Sequence, residues 1–132
     1  MTRDRVLGAQ AAYFVATGVA PFVSRRLFEA VTGPKREWWL VQTFGGVVAV
    51  VGAGIASAVA RRRVTPEVVG IAAGSAGVLA AADVWFVARG RIRPTYLLDA
   101  AAEAAILAGL AVTRPRPPSP PVRSDRARGP CR

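Results

Sequence analysis

The stretch WWLVQTFGGVVAVVGAGIASAVA, residues 38–60, is twenty-three residues long, carries no charge and offers only Gln42, Thr43 and Ser57 as polar side chains. A helix on the surface of a water-soluble domain sets a charged stripe opposite its apolar one, and this segment has none. At about 1.5 Å per residue it covers the roughly 30 Å hydrocarbon layer of a bilayer. Working outward, residues 6–23, 68–88 and 96–113 are apolar too, and each gap between the four stretches holds at least three Arg or Lys residues. The pattern predicts an all-α fold, a four-transmembrane-helix up-down bundle over residues 1–113 with spans at 6–23, 38–60, 68–88 and 96–113.

The connections carry information of their own. In residues 24–37, Leu27, Phe28 and Val31 fall on one helical face while Arg25, Arg26 and Glu29 lie elsewhere, which predicts a short interfacial helix ended by Gly33-Pro34. Trp38 and Trp39 open the next span, where aromatic residues sit at an interface. Thr65-Pro66 reads as a cap followed by the first position of a helix. Residues 114–132, rich in Arg and Pro, read as a disordered tail. Arg3 and Arg5 precede the first stretch and Pro21 follows its small residues, so that stretch reads as a retained span rather than a cleaved signal.

Small residues mark the expected helix contacts. Gly8, Ala12, Ala16 and Ala20 form a seam at four-residue intervals in the first span, and Gly70, Gly74, Gly77 and Ala81 form a GxxxG-type series in the third. Lipid gives helices little hydrophobic drive to associate, so close backbone approach across small residues is the expected glue.

The net charge of +10 suggests a polyanionic partner, but the cations are dispersed among gaps and ends and form no basic helix interleaved with aromatics. Bracketing of membrane spans accounts for the same charge, so no nucleic-acid partner is expected. With both termini cytoplasmic, eleven Arg and Lys fall inside and seven outside, which favours that orientation in a bacterial inner membrane. Cys131 stands alone and histidine is absent, which removes an intrachain disulfide, the commonest general base and the commonest metal ligand. No Ser-centred elbow, metal cluster, phosphate loop or nucleotide fingerprint can be assembled; no catalytic residue, metal or cofactor is assigned.

The exceptions to the apolar pattern are Asp83, Asp99 and Glu103, where burial is expensive. An acid at helix centre costs about 2.5–3.5 kcal/mol on insertion scales while a Leu or Ile returns roughly 0.3–0.6, so the fourth stretch, with two acids, depends on the others to insert. Up-down connectivity puts Gln42, Asp83, Asp99 and Glu103 in the same half of the bilayer, with Thr17 near them. Asp99 and Glu103, four residues apart, share a helix face. These four residues, Asp83, Asp99, Glu103 and Gln42, form the candidate polar intramembrane cluster, with an inward-folded Arg25, Arg26, Arg89, Arg91 or Arg93 as a further partner. Two readings stay open: a polar pocket or proton pathway, and a hydrogen-bonded network that fixes helix register.

Phe28-Glu29-Ala30-Val31-Thr32-Gly33-Pro34-Lys35 with Trp39-Leu40-Val41, then Asp83, Trp85, Phe86, Ile92, Tyr96-Leu97-Leu98-Asp99-Ala100 and Glu103, resemble a group of small four-helix bacterial integral membrane proteins of unknown function. The resemblance spans roughly residues 14–109 and implies an integral membrane location without assigning an activity. Members of that group often carry a basic residue where this chain has Gln42, so a direct ion pair from the second span to the acids is not implied. The leading expectation is a non-enzymatic accessory or small-molecule-binding bundle whose partners are the lipid bilayer, a lipophilic small molecule and a second copy of itself. The alternative is a membrane-embedded enzyme or carrier for a lipophilic or cationic molecule using Asp83, Asp99 and Glu103.

Overall fold

A computed structural model describes residues 2–113; the tail expected to be disordered, 114–132, lies outside them. Among the described residues the chain is all-helical: α1 (Arg3–Val23), α2 (Arg25–Thr32), α3 (Trp38–Ala60), α4 (Pro66–Ala88) and α5 (Tyr96–Val112). Three of these, α1, α3 and α4, are long and apolar enough to cross a membrane. The fourth long helix, α5, has 17 residues, or roughly 26 Å at 1.5 Å per residue, and carries Asp99 and Glu103.

Local sequence explains the ends. Ser24 terminates α1 and caps α2, its Oγ accepting from the Leu27 N–H at 3.3 Å. Thr65 accepts from the Val68 N–H at 3.5 Å and Pro66 takes the first turn of α4, where its missing N–H costs nothing. Gly33, at φ +86°, lets the chain leave α2 in a conformation other residues rarely adopt.

The most extensive contact joins α1 to α3, the next α4 to α5, and α1 also touches α4 and α5. The α1 face against α3 is built on Leu7, Ala11, Phe14, Gly18 and Pro21, all buried. Their alternating spacings of four and three give the seam by which two helices interdigitate at a shallow crossing angle. Gly18 meets the backbone of Gly45 and Ala49, and Gly52 meets Ala11 and Phe14. This register differs from the seam expected at Gly8, Ala12, Ala16 and Ala20: Ala12 and Ala16 are exposed, and a Cβ at Gly8 would meet nothing within 4 Å. The register is set where the two backbones meet, at Gly18, Gly45 and Gly52, positions that no side chain holds apart. The Gly70, Gly74 and Gly77 series likewise meets nothing within 4 Å and faces outward. On α4 the inner face is instead Ala72, Ala76 and Asp83.

The outer surface is strongly apolar. Val23, Val50, Leu98 and Val112 are each more than 70% exposed, at 75, 72, 76 and 80%. Such a surface in water would drive association; against hydrocarbon it is matched.

Helix α2 is the amphipathic segment expected in the first connection. Arg25 Nε pairs with Glu29 Oε1 at 3.2 Å, and the Lys35 N–H donates to the same oxygen at 2.9 Å. Thr95 Oγ1 donates to the Val31 carbonyl at 3.0 Å and the Lys35 ammonium lies 5.0 Å from the Tyr96 ring centre, so α2 is strapped to the start of α5. The Lys35 N–H, and after it the Arg25 guanidinium, hold the Glu29 carboxyl below its ordinary range. A depressed carboxyl stabilises the strap above its unfolded-state value and loses that contribution as pH falls through the folded one. Protection factors over residues 25–35, amide exchange corrected for its intrinsic pH dependence, should therefore hold from neutral pH down to the ordinary glutamate range and fall only below it. A fall already near neutrality would show that Glu29 does not hold the strap.

Candidate functional site

Helices α1 and α5 run antiparallel: Arg3 Nη2 donates to the Thr113 carbonyl at 3.0 Å, and Val6 packs on Gly109. The same register brings Tyr13 level with Asp99, and the phenol donates to Asp99 Oδ1. Asp83, from α4, lies beside Asp99, and Glu103, one turn further along α5, is close to both aspartates and to Tyr13. The structure thus gathers Asp83, Asp99 and Glu103 with Tyr13 at the junction of three helices.

Their environments differ. Glu103 is fully buried, and neither Oε1 nor Oε2 has a hydrogen-bond partner. Asp83 is buried with Oδ2 unpartnered, whereas Asp99 is half-buried. Among the described residues no arginine or lysine pairs with any of the three acids. The arginines considered as inward partners lie elsewhere: Arg25 joins Glu29 and stacks on Trp38, Arg89 lies over Trp85, and Arg93 packs on Gly33. Long guanidinium side chains at a helix end find aromatic faces and backbone carbonyls nearer than the bundle interior.

Gln42 is half-buried on α3, and among the described residues it forms no hydrogen bond to an acid; α3 packs chiefly on α1 and only sparsely on α4. Thr17 turns its hydroxyl back to the Tyr13 carbonyl at 2.8 Å. Two polar residues that the sequence analysis did not single out sit in the interior. Tyr13 is one; Gln10 is the other, fully buried, with Nε2 donating to the Ala72 carbonyl at 2.7 Å and Oε1 unpartnered. Their signal was available: both interrupt an apolar stretch well inside its ends, where a polar side chain needs a specific reason.

Beside the cluster lies a cleft of about 1300 Å³, walled by α1, α3 and α5 with Leu79 and Phe86 of α4, and covered at one end by α2. Its lining is overwhelmingly apolar and opens onto the outer surface at Leu27, Val31, Phe44 and Leu98, while Tyr13, Asp99 and Glu103 supply polar groups on the α1–α5 side and Lys35 one at the α2 end. A cleft with apolar walls and a few convergent polar groups has the general character of a small-molecule site, and this one exceeds the usual volume of roughly 300–1,000 Å³. Among the described residues no three acids converge on a single point in the way a metal ion would require.

No family model, curated protein or solved structure matches this chain.

Proposed function

We propose that the chain is a non-enzymatic integral membrane protein, with α1, α3, α4 and α5 as four spans, that holds a lipophilic small molecule in the cleft under α2. The carrying observation is the cleft itself: about 1300 Å³ of largely apolar space in a chain of 132 residues, with its acids on the α1–α5 wall and Lys35 at the α2 end. The fourth span is supported by the side-by-side packing of α5 on α4, which carries it through the same depth despite its shorter length. Its two acids turn inward, where Tyr13 and Asp83 shield them from lipid. The Arg and Lys bias supports cytoplasmic termini, and the resemblance to small bacterial membrane proteins supports an inner-membrane location.

The test uses the full chain. It should stay in membranes through alkaline carbonate washing and, in zwitterionic nanodiscs, bind a pyrene-labelled dodecanol. Ala102, half-buried on the cleft wall, is the blocking position: Ala102→Trp should weaken that binding at least about tenfold, a change of roughly 1.4 kcal/mol. Release by carbonate would remove the membrane assignment, and unchanged binding in Ala102→Trp would place the probe outside the cleft.

A further inference from the structure

Resting on that reading, we infer that the cleft is built for a lipophilic amine, whose cationic head sits against Asp99 with Glu103 close behind it while its tail lies along the apolar wall beneath α2. Three independent features converge on this class. Glu103 lines the cleft, is fully buried and leaves both carboxylate oxygens unsatisfied. A buried acceptor without a donor costs about 1–3 kcal/mol or more, so the site is incomplete as the chain alone forms it. The acids also lack a paired cation: Arg25 and Arg89 are engaged on Glu29, Trp38 and Trp85, and the Lys35 ammonium, which lines the cleft at its α2 end, lies on the Tyr96 ring. Finally, the rest of the cleft is hydrocarbon-like, which selects a ligand whose polar part is small and terminal.

The half-buried Asp99 carboxylate is the acceptor that the cleft reaches, and the Glu103 carboxylate, sealed one turn further along α5, adds its charge behind it. A primary ammonium brings three N–H donors to that wall. Asp83 lies behind Asp99 and outside the cleft lining, so it positions Asp99 instead of touching the ligand. A neutral alcohol can occupy the same space but donates once, and a carboxylate adds a like charge to the cluster. Charge-assisted hydrogen bonds are about twice as strong as neutral ones, so selectivity among chains of equal length isolates the head group.

The experiment is displacement of pyrene-labelled dodecanol from the full chain in zwitterionic nanodiscs by dodecylamine, dodecan-1-ol and dodecanoate, with empty nanodiscs subtracted. Dodecylamine should displace the probe at least about tenfold more effectively than dodecan-1-ol, with dodecanoate weakest. Glu103→Gln and Asp99→Asn should each shrink the preference for dodecylamine over dodecan-1-ol to about threefold or less. Equal displacement by amine and alcohol in the unaltered protein overturns the amine assignment and leaves the cleft reading standing. Failure of the probe to bind, or its survival in Ala102→Trp, overturns both. Should either acid variant fail to fold, the three-ligand comparison on the unaltered protein still decides.

Discussion

Replacing Gly18 with leucine should take the α1–α3 pair apart. A Cβ at that position would lie 2.5 Å from the Gly45 carbonyl oxygen and 2.6 Å from the Ala49 nitrogen, both backbone atoms that no rotamer change can move aside. Overpacking an interior typically costs about 1–3 kcal/mol, and a clash with main chain on the facing helix belongs at or beyond the upper end. A loss of about 3 kcal/mol or more is expected in reversible unfolding in mixed micelles. The control is Gly54→Leu on α3, where an added Cβ meets nothing within 4 Å; it should change stability by less than about 1 kcal/mol. Comparable losses in both variants would mean that bulk on α1 or α3, and not the Gly18 contact, governs the outcome.

Glu103→Met should do the reverse and stabilise the empty protein by about 1–3 kcal/mol, the cost released when a buried group without partners is exchanged for an apolar one of similar length. Both Glu103 oxygens lack a donor and the residue is fully buried, so nothing paired is broken by the change. The same variant should lose the preference for dodecylamine. Stability gained as selectivity disappears is the pattern of a side chain kept for a ligand. A marked loss of stability would instead make Glu103 a member of a satisfied network that fixes helix register.

The long helices were legible because their apolar runs are bounded by charges and by Thr65-Pro66 or Gly33-Pro34. The stretches expected at 38–60 and 96–113 correspond closely to α3 and α5, and α2 lies where Leu27, Phe28 and Val31 placed an amphipathic turn. Rotation about each helix axis was not legible. On α1 and α4 small and apolar residues surround the helix, so periodicity carries little information about which side meets a neighbour. That is why Gly70 and Gly74 suggested a contact face that the fold leaves open, while the working contacts formed at Gly18, Gly45 and Gly52. The acids could be assigned to one half of the layer because connectivity fixes depth without fixing rotation. Tyr13 and the cleft required rotation as well: the phenol reaches Asp99 only because α1 and α5 settle in one antiparallel register.

That register ties the beginning of the chain to its end, with consequences for synthesis. Helix α1, made before α3, α4 and α5, carries Gln10 and Tyr13, whose partners, the Ala72 carbonyl and the Asp99 carboxylate, are 62 and 86 residues downstream. Until those segments arrive, α1 must keep two polar side chains on local partners or water while its Gly18 face is already docking onto α3. Maturation thus has a built-in order, an early apolar hairpin followed by a late polar closure. The Arg3 to Thr113 hydrogen bond, spanning 110 residues, can form only when nearly the whole helical region has been made.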